Sequence, residues 1–210
     1  MRLPWYYTDS DGVMIENPKF LRKGEIVLKR SQRRVSRKVK GSINRRKARL
    51  ILGKRHLKIS RQRKDHAIKL ARCVITSNDV VAYEDLRIKN MVKNHCLAKS
   101  INDVSWYQFR VWMEYFGKVF GRITIAVNPQ YTSQECSSCG TIVKKTLSTR
   151  THICECGCVL DRDHNAARNI LTRGLGTVGH IGTFALDVSN ALGDESSNQV
   201  GAILPEQVMS

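Results

Sequence analysis

The chain has 210 residues, of which 36 are lysine or arginine and 18 are aspartate or glutamate, so its formal net charge is +18. Its 41% hydrophobic content is enough to bury a core, and its length fits one domain plus a small module. No apolar run approaches the ~20 residues that a membrane-spanning helix needs. The positive charge therefore favours nucleic acid over a lipid bilayer as partner.

The first predicted elements are a β-hairpin and two long helices. Residues 5–16 combine aromatic and β-branched residues around a turn at Ser10-Asp11-Gly12, which is typical of a hairpin. Residues 24–38 and 42–75 predict two helices, with Ser42 as a possible N-cap of the second. Each helix has a thin apolar stripe, so the two are expected to pair as an antiparallel helical hairpin, here called the basic hairpin (residues 24–75).

The charge of this region is one-sided. From Arg22 to Lys64 there are nineteen basic residues and one acidic residue, Glu25. A solvated helix surface normally mixes both signs, so this stretch favours contacts with phosphates. The candidate nucleic-acid-binding residues are Arg33, Arg34, Arg37, Arg45, Arg46 and Arg49.

Three further elements follow the basic hairpin. Residues 79–84 predict a short buried strand from their β-branched content. Residues 104–117 predict an amphipathic aromatic helix, with Asp103 as a plausible N-cap and Gly117 as a plausible end. Residues 122–127 alternate as a strand.

A cluster of cysteines predicts a metal site. The chain places five of them close together in sequence: Cys136, Cys139, Cys154, Cys156 and Cys158. Zn²⁺ binds four ligands tetrahedrally, and structural sites often use two short cysteine pairs. Any two of the last three could complete the site. Cys154 and Cys156 are favoured because Gly157 follows Cys156 as Gly140 follows Cys139.

Disulfide bonds are the alternative for these cysteines. They are disfavoured because the residues cluster and no signal peptide is recognisable. Cys73 and Cys96 lie in apolar sequence and are expected to be buried thiols.

Two carboxylates lie at positions typical of a catalytic metal site. Glu84 ends the predicted strand 79–84, and Asp163 begins a helix expected to reach about Thr172. Taken singly, Glu84 could be a surface acid at a strand end and Asp163 an ordinary helix-capping acid. Together, in a very basic chain, they suggest a Mg²⁺ site completed by substrate phosphates.

Three motifs carry a family resemblance. They are Glu84-Asp85-Leu86 after a strand, Thr132-Ser133-Gln134-x-Cys136-x-x-Cys139-Gly140, and Asp161-Arg162-Asp163-x-Asn165-Ala166-Ala167-x-Asn169-Ile170. Over about residues 10–172 the chain resembles the TnpB/OrfB proteins of bacterial insertion sequences. Those proteins are similar to the nuclease half of type V CRISPR effectors, are classed with the transposases, and cleave DNA under RNA guidance.

The resemblance implies an α/β fold: an incomplete RNase H-like (RuvC) domain with the basic helical hairpin and an inserted zinc ribbon. It implies Glu84 and Asp163 as the second and third catalytic acids, with Mg²⁺ or Mn²⁺ as the catalytic metal. Asn165 and Arg168 are expected to line the same end of the helix, with Asp161 as a neighbour. DNA and a guide-type RNA are the implied partners, and the cytoplasm, with the nucleoid when DNA is bound, the implied location.

The family's first catalytic acid lies on the first strand of the nuclease domain, a short way before the turn at Asp11-Gly12, and has no counterpart here, so the resemblance implies an N-terminally truncated copy. Without its central strand, the sheet is expected to have an exposed edge. The expected units are a partial nuclease domain (1–130), the zinc ribbon (131–160), a final nuclease motif and helix (161–174) and a flexible tail (175–210). The chain is therefore either a metal-dependent DNA endonuclease or a non-catalytic zinc-ribbon protein that binds DNA or RNA.

Overall fold

The computed structural model describes residues 3–146, 148–182 and 200–204. In chain order the elements are β1 (Trp5–Asp9), β2 (Met14–Glu16), α1 (Phe20–Ser36), α2 (Ile43–Thr76), β3 (Val80–Glu84), α3 (Ile88–Met91), α4 (His95–Val104), α5 (Trp106–Phe120), β4 (Ile123–Val127), β5 (Thr151–Ile153), β6 (Val159–Asp161), α6 (Arg162–Gly182) and β7 (Val200–Leu204). Helices and strands are mixed along the chain, as the α/β prediction expected.

The N-terminal hairpin is confirmed. Strands β1 and β2 pair antiparallel, and Gly12 adopts a left-handed conformation (φ +85°) in the turn between them. Asp9 stabilises this turn, since its Oδ1 accepts hydrogen bonds from the backbone N–H groups of Asp11 (3.0 Å) and Val13 (2.8 Å). The carboxylate of Asp9 therefore has a local structural role.

The basic hairpin is confirmed as two packed helices. Ser42 caps α2, because its hydroxyl accepts a hydrogen bond from the backbone N–H of Arg45 at 3.2 Å. Gly24 of α1 lies so close to Ile59 that an added Cβ would be 2.7 Å from its Cδ1. Further along α1, Ser31 contacts Arg55. Contacts made further along α1 thus involve residues earlier in α2, so the two helices run antiparallel.

The expected caps of the aromatic helix are wrong. Asp103 lies inside α4, and its carboxylate accepts hydrogen bonds from the N–H groups of Leu21 (2.7 Å) and Arg22 (3.3 Å) at the start of α1. The acid therefore satisfies the orphan donors of a helix about 80 residues away in sequence, rather than those of α5. Helix α5 begins after Ser105 and ends at Phe120, with Gly121 as its C-cap.

The sheet has its C-terminal strand in the interior. The strand order is β2-β1-β7-β3-β4, with β3 parallel to both β4 and β7, and β1 antiparallel to β7. Strand β7 thus lies between two strands that would otherwise each have an unpaired edge, in contrast to the exposed edge expected from the sequence.

The structure also differs from the expected flexible tail. Helix α6 continues past Thr172 to Gly182, and residues 200–204 pair in the sheet. The rest of the expected tail, residues 183–199 and 205–210, lies outside the described residues.

Two apolar clusters cover the two faces of the sheet. On one face, Val81 and Tyr83 pack with residues of α2 and α5 such as Ala71 and Phe109. On the other face, Ala82 packs against Ala167 and its neighbours on α6. Because successive strand residues point to opposite faces, Glu84 lies on the α6 side with Ala82.

The contact between α6 and β3 is close. A Cβ added to Gly174 of α6 would come within 2.6 Å of the Ala82 Cβ, so the helix backbone approaches the strand only because residue 174 is glycine. The expectation of buried thiols at Cys73 and Cys96 is wrong, since both residues are exposed. Among the described residues, no helix is long and apolar enough to cross a membrane.

Candidate metal centre and nucleic-acid interface

Four of the five clustered cysteines come together in the structure. The ligand sulfurs of Cys136, Cys139, Cys154 and Cys156 all lie within 4.8 Å of one another. Cys136 Sγ is 3.7 Å from Cys156 Sγ, and Cys139 Sγ is 3.5 Å from Cys154 Sγ. Tetrahedral zinc with Zn–S bonds of ~2.3 Å separates its sulfurs by ~3.8 Å. The donor set and its spacing therefore fit a structural zinc ion.

Cys136, Cys139, Cys154 and Cys156 are here called the four-cysteine cluster. A glycine turn shapes each half of this cluster. Gly140 (φ +77°) donates its N–H to the carbonyl of Cys136 at 2.9 Å, and Gly157 (φ +85°) donates to the carbonyl of Cys154 at 3.0 Å. Each turn folds the chain back so that the cysteines before it point to one centre. Strands β5 and β6 form a small antiparallel pair that flanks the second turn.

The thiols of the cluster shift one another's pKa values: the pKa of Cys139 is lowered, whereas the pKa values of Cys154 and Cys156 are raised. A hydrogen bond with the hydroxyl of Thr141, 3.4 Å from Cys139 Sγ, is the main cause that lowers the pKa of the Cys139 thiol to about 6. The side chain is exposed, so water screens its surroundings. A thiolate is the form of cysteine that binds metals.

Glu84 is a buried carboxylate at the carboxyl end of β3. It is 2% exposed, and the hydroxyl of Thr132 donates a hydrogen bond to its Oε1 at 2.5 Å. The carbonyl of the same threonine accepts a hydrogen bond from Asn169 of α6 at 2.8 Å. Thr132 thereby links the end of β3 to α6, the helix that carries Asp163 in its first turn.

Asp163 is also buried, at 4% exposure, and lies in the first turn of α6. Its backbone N–H donates to Asp161 Oδ1 at 2.8 Å, so Asp161 caps the helix. Its carboxylate pairs with two arginines: Arg162 Nη2 is 3.0 Å from Oδ1, and Arg150 Nη1 is 3.7 Å from Oδ2. Glu84 thus lies on the sheet face that α6 covers and Asp163 in the first turn of α6, and in this structure Asp163 is paired with cations of the chain itself.

Sequence reasoning missed the role of two asparagines. Asn165 Nδ2 donates to the carbonyl of Glu135 at 2.7 Å, and its Oδ1 accepts from the N–H of Ser137 at 3.0 Å. Asn169 Nδ2 donates to the same Glu135 carbonyl at 2.7 Å. Their i, i+4 spacing, which puts both on one helix face, was the available signal. Arg168 is exposed and does not share this buried face with Asn165.

The six arginines predicted to bind nucleic acid lie around the tip of the basic hairpin. Arg33, Arg34, Arg37, Arg46 and Arg49 are exposed. Arg45 is half-buried, and its Nη1 donates to the carbonyl of Lys38 at 3.1 Å, which helps to close the loop. An open cleft of about 660 Å³ runs between the helices, and its lining includes Arg30, Arg33, Arg34 and Arg37.

Glu25, the single acidic residue between Arg22 and Lys64, does not line that cleft. Glu25 forms ion pairs with Lys29 (2.8 Å) and with Lys99 of α4 (2.5 Å). Hydrogen bonds from Lys29 and then Lys99 lower its pKa to about 2. Glu25 therefore ties the hairpin to the body of the fold and leaves the positive charge of the tip uncompensated.

Two family models match the chain, one on each side of residue 100. A model described as "Probable transposase" matches residues 5–95, and one described as "Cas12f1-like, TNB domain" matches residues 106–170. The first range holds the basic hairpin and Glu84, and the second holds the four-cysteine cluster and Asp163. The two matches therefore cover both candidate sites.

Named relatives agree with these models. A Streptomyces pristinaespiralis protein named "Putative RNA-guided DNA endonuclease" is 42% identical over 170 residues, covering 80% of this chain and 42% of its own length. The Escherichia coli (strain K12) protein InsQ, with the same description, is 34% identical over 184 residues, covering 80% of this chain and 46% of its own length. The chain spans less than half the length of these relatives.

A solved structure matches at the level of the fold. A chain of the Cas12f1-sgRNA-target DNA complex, determined by cryo-EM, superposes with a TM-score of 0.53 at 19% identity, covering 75% of this chain and 43% of that one. Fold, cysteine cluster and sequence are together those of a transposase-related protein that is similar to proteins named as putative RNA-guided DNA endonucleases. The chain belongs to the TnpB/OrfB family.

Proposed function

We propose that this chain binds nucleic acid through the tip of the basic hairpin and carries two acids, Glu84 and Asp163, of an RNase H-like nuclease site. The proposal rests on the exposed group of arginines, which has no compensating acid on its face among the residues that the structure describes. Each cation placed on a phosphate releases condensed counterions, so binding is strong at low salt. DNA and a guide-type RNA are the proposed partners.

The four-cysteine cluster is proposed to bind one structural zinc ion. The zinc would lock the two glycine turns together and so fix the segment around Ser137, which Asn165 anchors on α6. Asp163 lies in the first turn of the same helix. The zinc would therefore help to hold this acid in place without contacting the substrate itself.

The proposed nuclease chemistry belongs to Glu84, Asp163 and a divalent metal. Mg²⁺ or Mn²⁺ bound by these carboxylates and by phosphate oxygens would stabilise charge on the attacking and leaving oxygens of a phosphodiester. Support comes from the burial of both acids, Glu84 on the sheet face that α6 covers and Asp163 in the first turn of α6. Thr132 holds Glu84 in one orientation, and Asp161 caps the helix turn that carries Asp163.

A non-catalytic role is the second candidate, and one observation favours it. The carboxylate of Asp163 is paired with Arg162, which is itself 2% exposed, and with Arg150. Removing a buried arginine from its carboxylate is costly, so these cations compete with a metal ion for Asp163. Two carboxylates also supply only two negative charges against two divalent cations.

Binding is tested by charge reversal at the hairpin tip. The test variant changes four arginines to glutamate together: Arg33, Arg34, Arg46 and Arg49. Arg45 is left intact because it closes the loop. The matched control reverses four exposed lysines elsewhere: Lys89, Lys93, Lys118 and Lys144. Affinity for duplex DNA and for RNA should fall in the first variant much more than in the control. The salt slope should also drop, by ~0.9 per lost phosphate contact with duplex DNA. Equal losses in both variants would show that net charge alone governs binding.

Cleavage is tested with supercoiled plasmid and Mg²⁺ or Mn²⁺. Nicking that both Glu84→Ala and Asp163→Ala abolish supports the nuclease role. Salt-sensitive binding without nicking supports the non-catalytic role instead.

A further inference from the structure

The cysteine-bearing module contains a buried histidine that is not a ligand of the four-cysteine cluster. His152, in the middle of β5, is 0% exposed, and neither ring nitrogen has a hydrogen-bond partner among the described residues. A buried imidazole always has at least one N–H donor or lone-pair acceptor to satisfy, and leaving it unpaired is costly. Such an orphan side chain calls for a ligand.

The neighbours of this imidazole are two thiols. A ring nitrogen of His152 and the sulfurs of Cys136 and Cys158 all lie within 4.8 Å of one another. Cys136 also belongs to the four-cysteine cluster, whereas Cys158 does not. Cys158 is half-buried and lies immediately before β6, the partner strand of β5. The three donors therefore converge beside the first cluster and share one sulfur with it.

We propose that Cys136, His152 and Cys158 form a second metal position, in which the sulfur of Cys136 bridges two divalent d¹⁰ cations such as Zn²⁺ or Cd²⁺. Thiolate and imidazole are the donors that such cations prefer. This position goes beyond the proposed structural zinc but rests on it, because both use Cys136.

Charge and ligand count are compatible with two cations. Five thiolates oppose the four positive charges of two divalent ions, so the pair leaves little net charge in the module. On binding, Cys158 loses its thiol proton to solvent, and His152 binds through the lone pair of a neutral ring nitrogen. Three protein ligands leave the fourth corner of a tetrahedron to water, on the half-buried side of Cys158.

The geometry needs little adjustment. Ligands of a tetrahedral zinc are ~3.8 Å apart, so donors separated by at most 4.8 Å reach one ion after shifts of about 1 Å. The second position is expected to bind more weakly than the first, because it has one protein ligand fewer.

Metal stoichiometry tests the proposal. Metal-free protein is reconstituted with increasing Cd²⁺, freed of unbound metal, and assayed for cadmium per chain, with thiolate-to-metal charge transfer recorded in parallel. The unaltered chain should reach two equivalents in two steps. Cys158→Ser and His152→Leu should each stop at one equivalent, and Cys96→Ser, which changes an exposed cysteine outside the module, should still reach two.

The two variants distinguish loss of the second metal position from loss of the fold. His152 is buried, so His152→Leu could fail to fold; Cys158 is half-buried, and Cys158→Ser then still tests the second position. Saturation of the unaltered chain at one equivalent would overturn the second position but leave the four-cysteine site in place, and so would two equivalents in Cys158→Ser. Uptake of no metal at all would overturn both.

Discussion

Asn165 Oδ1 accepts a hydrogen bond from the backbone N–H of Ser137 at 3.0 Å, and this contact joins the four-cysteine cluster to the helix of Asp163. Asn165 is 0% exposed, and Ser137 directly follows the ligand Cys136. One buried amide thus sets the position of the cysteine module relative to a predicted catalytic acid.

Replacing Asn165 with alanine should loosen this junction. The Glu135 carbonyl keeps its second donor, Asn169, so the Ser137 N–H is the group left unpaired, at a cost of roughly 1–3 kcal/mol. The free energy of unfolding, measured in urea, should fall by that amount, and zinc should transfer faster to a competing chelator. Asn102→Ala, at an exposed position of α4, is the control and should change neither quantity. Unchanged zinc transfer in Asn165→Ala would contradict the coupling.

Serine at Cys139 should abolish zinc binding at the four-cysteine cluster. The change removes one of four sulfurs that converge within 4.8 Å, and a three-sulfur remnant holds zinc far less tightly. Zinc content of purified protein should fall by about one equivalent per chain, because the four-cysteine cluster loses a ligand. Cys96→Ser is the control and should retain its zinc. The idea fails if the unaltered chain folds with no metal, or if Cys139→Ser keeps a full complement.

The ion pairs of Glu25 should make stability depend on pH in acid. The pKa of Glu25 is lowered from 4.5 to about 2, so the folded state favours the carboxylate. Its contribution is fully present above pH 4.5 and is lost as the pH falls through about 2. Glu25→Gln should therefore lower the Tm at pH 6, and the difference from the unaltered chain should shrink steadily between pH 4.5 and 2. Glu16→Gln, at an exposed strand position, is the control. A difference that stays constant across this range would rule out the ion pairs as its source.

A third carboxylate at position 204 should strengthen the proposed nuclease site. Strand β7 pairs in register with β3, with Ile203 opposite Tyr83, so one further step brings position 204 beside Glu84. Leu204→Asp adds a third negative charge on the strand that pairs with β3, and carboxylates are the groups that hold divalent cations in such sites. Mg²⁺-dependent plasmid nicking should appear or rise in this variant.

Leu204→Asn is the matched control, since it has nearly the same shape without the charge, and it should leave nicking unchanged. Adding Glu84→Ala to Leu204→Asp should remove the gain. A gain that survives loss of Glu84 would place the new activity elsewhere.

The elements and the metal donors were largely readable from the sequence because both rest on local signals. Alternation and β-branched residues predicted β3 and β4, and a break at residues 39–41 with Ser42 as cap predicted the basic hairpin. The cysteine spacing, together with Gly140 and Gly157, predicted the cluster, because the backbone turns that gather its ligands span only a few residues.

What the sequence could not decide depended on groups that are distant in the chain. Asp103 has the sequence signature of a cap for the next helix, but tertiary packing brings it to the free N–H groups of α1. Strand β7 is placed by the edges of β1 and β3, which are about 120 residues or more away in sequence, and its own composition gives no partner. The pairing of Asp163 with Arg150, and the meeting of His152 with Cys136 and Cys158, likewise follow from packing. Local pattern determined which donors and charges this protein has, and only the folded chain determined which of them neutralise each other and which are left to bind a ligand.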